Sequence, residues 1–384
     1  MRKIRVIHLI TKLELGGAQR NTIYTCEKMD PVCFDVFLMS GEGGVLNPSE
    51  EFIGGEERRF ILIKDLVRAI NLFRDVKAFK FLRNEFVRLK PDIVHTHSSK
   101  AGIIGRFAAK SAGVPITVHS VHGFAFSRFH PFFMRNLYKV IEKITSIFTN
   151  HYIFVSKADI KVAKKLKLLK KASYSLIRSG FDFEKFTKSD ISVSEIKKKY
   201  QISDQDFICG VIAPFKPQKG LFDLIKIASI VLKKERNIVF FIAGDGELRD
   251  SLESEMKKVG IRDRFIMPGF IDDIESVIPV FDIGVSTSLW EGLPQSLIQL
   301  RLMNKAAVVT DISGNNEVIS DGVNGYTVSV GEFNEFAEKI ILLKNDKSIL
   351  KSLSNRSEEL TEWDGKVMVK SQENLYSSLV GNES

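Results

Sequence analysis

The sequence predicts an α/β protein of two doubly wound, parallel-sheet domains that leave a ligand cleft between them. Three observations carry this. The 384 residues exceed what one core usually serves, at roughly 150 residues per domain. Short β-rich runs alternate with longer helical patterns along the chain, the signature of parallel strands joined by helical crossovers. Apolar periodicity then fades into charge across "FDFEKFTKSDISVSEIKKKYQISDQD", which places a domain boundary near residues 183 to 205. The domains expected are 1–185 and 205–355. A helical segment, 356–384, closes the chain, and its "TEWDGKVMVKSQENLYSSL" is expected to pack back on the first domain.

The strands follow in order. The first half offers "KIRVIHLI", "FDVFLMS", "RFILI", "PDIVHTH", "PITVHS" and "YIFVS", and the second "FICGVIAP", "NIVFFIAG", "RFIMPG", "DIGVST" and "AAVVTD". Hydrophobic residues at 44% and charged residues at 27% exclude a disordered chain. Cys26, Cys33 and Cys209 have neither an even framework nor metal-ligand spacing, so reduced thiols in the cytosol are expected. In "MRKIRVIHLITKLELGG" Lys12 and Glu14 interrupt the apolar run too early for a signal peptide, leaving a first strand. No stretch approaches the roughly eighteen uninterrupted apolar residues of a spanning helix.

In open α/β sheets ligands bind at the loops that follow the strands. After the first strand, Gly16 and Gly17 lead into a helix, where the backbone can approach an anion; a plain tight turn is the other reading. The three spaced glycines of a dinucleotide site are missing, which counts against a nicotinamide dehydrogenase. His95 and His97 sit at a strand end with no acid or cysteine in the pattern, and read as hydrogen-bonded structural histidines rather than metal ligands. His122, beside Gly123, is placed to hydrogen-bond a polar substrate or move a proton, against the reading of a turn histidine.

In the second half, "APFKPQKG" sets Lys216 and Lys219 ahead of Gly220 and a helix. That is a diphosphate clamp or a pair of solvated lysines. The Gly244-Asp245-Gly246 turn, the Gly269-Phe270 turn in "MPGF", and "STSLWEGLPQ" also follow strands. In the last of these, Pro294 suits the first helical position, so the amides of Leu293, Gln295 and Ser296 would be open to a ligand. Glu291, just before Gly292, presents a carboxylate suited to binding hydroxyls, and Gln299 is its less certain partner.

Together these motifs resemble glycosyltransferase family 4, over most of the chain from the first strand to about Val328. "LGGAQR" looks like the family's Gly-Gly-Ala-Glu-Arg loop with Gln19 for Glu. "APFKPQKG" looks like its Gly-Arg-Leu-x-x-x-Lys-Gly loop, with Ala213 and Pro214 where Gly and Arg are usual. "AGDGELR" and "TDISGNNEVISDGVNGY" are close to the family pattern, and "EGLPQSLIQ" stands at its Glu-x7-Glu motif, ending in Gln299.

The resemblance implies the GT-B architecture, two Rossmann-like domains facing across a cleft, and a retaining transfer from a nucleotide-diphosphate sugar, by preference a UDP-sugar. By resemblance, Glu291 binds donor-sugar hydroxyls, position 299 holds the ribose, Lys219 binds phosphate and His122 touches the sugar near its 6-position; Lys216, on the same loop, is read as supplying the cation missing at Pro214. The implied catalytic set is His122, Lys216, Lys219 and Glu291. The implied donor-binding set is Gly16, Gly17, Gly244, Gly269, Phe270, Gly292, Leu293, Pro294, Gln295, Ser296 and Gln299. No metal or other cofactor is expected, since lysines supply the positive charge. An amide at Gln299 replaces a charge-assisted hydrogen bond by a neutral one, at a cost of about 1 kcal/mol.

The formal charge of +9 matters because it is clustered. "FAFSRFHPFFMRNLYKVIEK" interleaves phenylalanines, among them Phe126 and Phe132, with Arg128 and Arg135, and "SKADIKVAKKLKLLKKAS" adds a lysine-rich helical pattern around Lys164 and Lys165. Such a surface suits anionic lipid; a solvated helix over a phenylalanine core is the other reading. No nucleic-acid motif accompanies it. "HTHSSKAGIIGRFAAKSAGVPITVHSVHGFAF" resembles bacterial enzymes that build cell-surface polysaccharide on a polyprenyl-diphosphate carrier. The expectation is a lipid-linked saccharide acceptor, and a protein peripheral to the inner face of the cell membrane. Two rivals are a nucleotide-sugar 2-epimerase of the same fold and a non-catalytic basic membrane-binding protein whose donor site has decayed.

Overall fold

The computed structural model describes residues 2–14, 16–54, 59–124, 132–187, 192–354 and 358–381. The chain divides into two compact units, Met1–Phe181 with Thr361–Ser384, and Asp182–Leu360. The charge-rich stretch after Asp182 is folded into the second unit, where it forms the helix Val193–Lys199.

The first unit holds a seven-stranded sheet with parallel pairing throughout. Its strands are β1 (Ile4–Lys12), β2 (Phe34–Gly41), β3 (Phe60–Ile63), β4 (Ile93–His97), β5 (Ile116–Val121), β6 (His151–Phe154) and β7 (Ser173–Leu176), in the order β3-β2-β1-β4-β5-β6-β7. Because helices cover both faces, β4 and β5 are buried along their whole length, and their apolar residues alternate with buried His, Thr and Ser side chains. Period two along β1 sends Val6 and Ile10 to one core, with Met368 and Tyr376 of the last helix, Gly365–Gly381. Ile7 and Leu9 go to the other, with Leu82 of the helix Leu72–Leu89 and Ile104 of the helix Ser99–Ala112. The last helix lies in this unit against the helix Gly17–Lys28, and the Gly365 N–H donates to the Phe181 carbonyl at 2.8 Å.

The second unit repeats the plan with six parallel strands: β8 (Phe207–Ile212), β9 (Ile238–Ala243), β10 (Phe265–Gly269), β11 (Ile283–Ser286), β12 (Ala307–Thr310) and β13 (Gly325–Val328), ordered β10-β9-β8-β11-β12-β13. In each sheet the strand order reverses beside the first strand of the unit, between β1 and β4 and between β8 and β11. Loops on either side of such a reversal diverge and leave a crevice.

Candidate functional site

In the second unit the loops after β8 and β11 meet at that crevice. A single 3-10 turn, Pro217–Lys219, leads to Gly220, which caps the helix Leu221–Lys234 with φ of +60°. A side chain at Gly220 would be strained at that φ, and its Cβ would lie 2.1 Å from the Thr287 carbonyl oxygen, so only glycine lets the loops close. They are laced together: the Leu289 N–H donates to the Gln218 carbonyl at 2.8 Å, and the Thr287 hydroxyl to the Lys219 carbonyl at 3.1 Å.

This brings the Lys219 ammonium onto the Glu291 carboxylate as an ion pair, with the two side chains 15% and 9% exposed. Glu291 also accepts from the Ser288 hydroxyl at 2.8 Å and from Gln218 Nε2 at 3.2 Å, while the same Gln218 amide donates to the Trp290 carbonyl at 2.8 Å. Lys219 and Glu291, read from the sequence as separate phosphate and hydroxyl binders, form one unit. An ammonium has three donors and a carboxylate about four acceptor positions, so both retain capacity for a ligand. Gln218, which sequence reasoning passed over, orients the carboxylate.

Around this pair, Gly314 backs onto Glu291, where a Cβ would meet the Glu291 Cβ at 2.5 Å. Gly244 donates its N–H to the Gly269 carbonyl at 2.9 Å, tying the β9 and β10 loops, and Phe270 stands exposed beyond them. Lys216 is half-buried at the cap of the 3-10 turn. Pro294 is the cap of the helix Gln295–Leu302 and not its first residue, so Gln295 and Ser296 open the helix with N–H groups that have no intrahelical acceptor. Gly292 and Leu293 are half-buried just ahead of it, and Gln299 is half-buried in its second turn. Among the described residues the Gln299 amide makes no hydrogen bond.

In the first unit Gly16 caps the helix Gly17–Lys28, which has no acidic residue in its first turn. His122 follows β5, half-buried, with Nε2 3.2 Å from His97 Nδ1. His97 Nε2 lies 3.0 Å from His8 Nδ1, and His8 Nε2 lies 3.5 Å from the Tyr376 hydroxyl. That hydroxyl is 2.5 Å from His95 Nδ1, whose Nε2 is 2.7 Å from Ser120 Oγ. Burial pushes His8 down to about 3 and His122 to about 4, and it lowers His95 and His97 too, aided by their imidazole neighbours. These four rings are therefore neutral at pH 7.

His8, His95 and His97 offer nitrogens within 4.8 Å of one another, a grouping with the elements of a metal site. Each ring nitrogen of the three already has a hydrogen-bond partner. His8 and Tyr376 escaped sequence reasoning because a single histidine in a strand and a tyrosine in a distant helix make no local pattern.

The aromatic and basic segment is partly described: Phe126 and Arg128 lie outside the described residues. From Phe132 the chain forms the helix Phe132–Ser146, whose faces are inverted for a globular protein. Its inward side is polar. The wholly buried Arg106 pairs with Glu142 at 3.0 Å, and donates to Thr149 and to the Tyr152 hydroxyl, both at 3.2 Å. Its outward side carries the exposed Phe133 (77%), Leu137, Val140 (53%) and Ile144, and Ile147, just past its end, is 58% exposed. Phe132 is exposed at its start. The lysine-rich stretch is a helix only over Lys157–Lys165, since Lys167 takes φ of +60° and a 3-10 turn follows. Lys164 and Lys165 are exposed. Among the described residues no helix is long and apolar enough to cross a membrane.

Two family models match the chain, Glycosyltransferase Family 4 over residues 15–185 and Glycosyl transferases group 1 over residues 192–360. The chain is 30% identical over 351 residues to the UDP-Gal:alpha-D-GlcNAc-diphosphoundecaprenol alpha-1,3-galactosyltransferase of Escherichia coli, covering 90% of this chain and 89% of that protein. It is 26% identical over 333 residues to the N,N'-diacetylbacillosaminyl-diphospho-undecaprenol alpha-1,3-N-acetylgalactosaminyltransferase of Campylobacter jejuni, covering 84% and 86%. Among solved structures, Anabaena HepE in complex with UDP and glucose superposes with a TM-score of 0.82 at 17% identity, over 98% of this chain and 100% of that one. Sucrose-phosphate synthase from Thermosynechococcus elongatus does so with a TM-score of 0.84 at 15% identity, over 99% and 100%. These likenesses establish the GT-B fold.

Proposed function

The chain belongs to glycosyltransferase family 4, and we propose that it moves a hexosyl or N-acetylhexosaminyl group from a UDP-sugar to a saccharide carried on polyprenyl diphosphate, in bacterial cell-surface polysaccharide synthesis. The names of the Escherichia coli and Campylobacter jejuni relatives, both acting on diphosphoundecaprenol-linked sugars, support the acceptor class. The observation that carries the donor site is the Lys219–Glu291 pair on adjoining loops at the strand-order reversal.

In this reading the ammonium of Lys219, with Lys216 and the N–H groups of Gln295 and Ser296, meets the negative charge that grows on the departing diphosphate. Such fixed donors lower the barrier by electrostatics rather than by a covalent intermediate. Glu291, turned by Ser288 and Gln218, accepts from sugar hydroxyls. His122 touches the donor sugar. Departure of UDP and attack of the acceptor hydroxyl on the same face of the anomeric carbon retain configuration, and the lysines take the place of a metal ion.

The inverted helix supports a membrane-borne acceptor. An apolar stripe facing water on a helix that also carries the exposed Lys143, with Lys167, Lys170 and Lys171 lining a hollow beside Lys143 and Ile147, suits a helix that lies in an anionic lipid interface, at the cytoplasmic face of the membrane.

Calorimetric titration with UDP, GDP and ADP tests the donor site. UDP should bind, Lys219→Ala should weaken it, and Glu291→Ala should weaken mainly the UDP-sugar. No binding at millimolar concentration would leave the decayed-site reading in its place. Conversion of the donor sugar with no acceptor present would favour an epimerase.

A further inference from the structure

We infer that the lysine-lined hollow at the far end of the helix Phe132–Ser146 is a seat for the headgroup of a bilayer lipid carrying two phosphates, of the diphosphatidylglycerol class. The assignment rests on the membrane reading above and goes beyond it. A diffuse basic surface answers only to charge density, whereas a seat tells one headgroup from another.

The hollow forms where two helices end. The helix Phe132–Ser146 brings Lys143, Ser146 and Ile147 to it, and the chain just past the helix Lys157–Lys165 brings Leu166, Lys167, Leu168, Lys170 and Lys171. At Lys167 a φ of +60° ends the second helix and turns the chain into the 3-10 turn Leu168–Lys170. Leu168 is buried in a core with Val121, Tyr152 and Phe154, which pins the turn from below. Lys167, Lys170 and Lys171 stay exposed around it, and the hollow measures about 280 Å³.

Four ammonium groups and no carboxylate line this space. Among the described residues none of Lys143, Lys167, Lys170 and Lys171 takes part in an ion pair. Lysines near helix C-termini ordinarily offset the dipole, but each helix end carries only about half a negative charge, so two ends leave about three positive charges over. An anion seated among them relieves that repulsion.

The lining also selects the kind of anion. One phosphodiester carries a single charge; two joined through a glycerol carry a pair, nearer to the surplus, and basic pockets recognise such headgroups. Ile147, Leu166 and Leu168 make the rest of the wall apolar. Ile147 also continues the exposed row of Phe133, Leu137, Val140 and Ile144, so acyl chains leaving the hollow meet an apolar track. A soluble phosphate has no use for that track.

The hollow stands apart from the expected chemistry. The helix Phe132–Ser146 starts beyond the carboxyl end of β5 and runs back to the start of β6. Phe133 and Ile147 are therefore about 21 Å apart at 1.5 Å per residue, at opposite edges of the sheet. A reacting diphosphate belongs at the carboxyl ends of the strands, so the hollow takes a lipid that is not the substrate. Held at this end by a headgroup and at the other by Phe133, the helix lies flat in the interface.

Sedimentation of the full chain with phosphatidylcholine vesicles carrying either diphosphatidylglycerol or phosphatidylglycerol, matched for phosphate charge, tests the seat. The diphosphatidylglycerol vesicles should bind about fivefold more tightly or better. Lys143→Gln with Lys170→Gln should abolish that preference and leave the urea midpoint unchanged, since both side chains are exposed. Lys164→Gln with Lys165→Gln removes the same charge outside the hollow; it should lower binding to both vesicles and keep their ratio. Equal binding to the two vesicles by the unaltered protein overturns the seat and leaves the membrane reading standing, as does a preference that survives in the Lys143→Gln, Lys170→Gln protein. Binding to neither vesicle overturns both. Calorimetry with inorganic diphosphate and no vesicles separates the remaining source: tight binding that is lost in the Lys143→Gln, Lys170→Gln protein would make the hollow a site for a soluble anion and overturn the lipid assignment.

Discussion

Lys219 and Glu291, 72 positions apart in the chain, are ion-paired across the loops that follow two neighbouring strands of the second sheet. Each is the other's principal charge partner in a largely buried setting, so their substitutions should not act independently. Glu291→Gln and Lys219→Met are each expected to lower transfer kcat/KM by about a hundredfold or more. The double variant should fall well short of the product, with a coupling of roughly 1–3 kcal/mol. A cycle of the four proteins, assayed with one UDP-sugar, measures this; strict additivity would separate the two residues functionally.

Glu142 and Arg106 set a second expectation. Removing Glu142 strands a guanidinium with no exposure to solvent, so Glu142→Ala should cost about 3–5 kcal/mol in urea unfolding. Lys143→Ala, one residue along on the exposed side, should cost under about 0.5 kcal/mol. Replacing both partners, as Arg106→Met with Glu142→Leu, should recover most of the loss, because the desolvation penalty goes with the charges.

The same helix shows how far the sequence could be read. Its phenylalanines and basic residues were visible, but their outward orientation depends on Arg106, which lies on another helix and draws Glu142 inward. The central strands were legible because a sheet covered on both faces needs β-branched and apolar runs, which stay visible even where His, Thr and Ser interrupt them, as in β4 and β5. The edge strands β7 and β13, "SYSL" and "GYTV", were not recognised, since an edge of four residues carrying Ser or Gly has little apolar pattern. In the site, the glycine loops, Lys219 and Glu291 were each found by their place after a strand. Their pairing was not, because it follows from β8 lying beside β11, with Cys209 opposite Ile283, and no local spacing encodes that neighbour.

The outward stripe should govern membrane binding. Leu137→Glu and Ile144→Glu each remove one apolar side chain from the outward side, and each should weaken sedimentation with anionic vesicles by roughly tenfold or more. Lys164→Glu with Lys165→Glu should weaken it less, and in a salt-sensitive way. Absence of binding to anionic vesicles at low salt by the unaltered protein would defeat the membrane assignment.

Acid should destabilise the first unit. The His8 and His122 pKa values fall to about 3 and about 4 in the folded protein, and His151 to about 4, all through burial. Unfolded, these rings titrate near 6.5. Their folded pKa values are depressed, so the unfolded chain binds more protons below pH 6.5 and stability falls as pH is lowered from there toward 3. Each such ring contributes a slope of up to about 1.4 kcal/mol per pH unit. The urea midpoint should be nearly flat from pH 7 to 8 and drop steeply between pH 6 and 4; a flat profile down to pH 4 would show that the rings are hydrated.

Gln299 offers a gain rather than a loss. It is half-buried in the second turn of the helix Gln295–Leu302, whose first turn carries no acid. If position 299 holds the ribose, as the family motif implies, Gln299→Glu turns a neutral hydrogen bond into a charge-assisted one, and UDP should bind about fivefold more tightly, or about 1 kcal/mol. Repulsion from the diphosphate opposes this, but screening by Lys216 and Lys219 and the distance from ribose to phosphate keep it the smaller effect. Uridine, which has the ribose and no phosphate, separates the two contributions in calorimetry. Its affinity should rise at least as much as that of UDP. Uridine affinity unchanged in Gln299→Glu would mean that the ribose lies elsewhere, and that the amide in this position reflects packing rather than a retuned donor site.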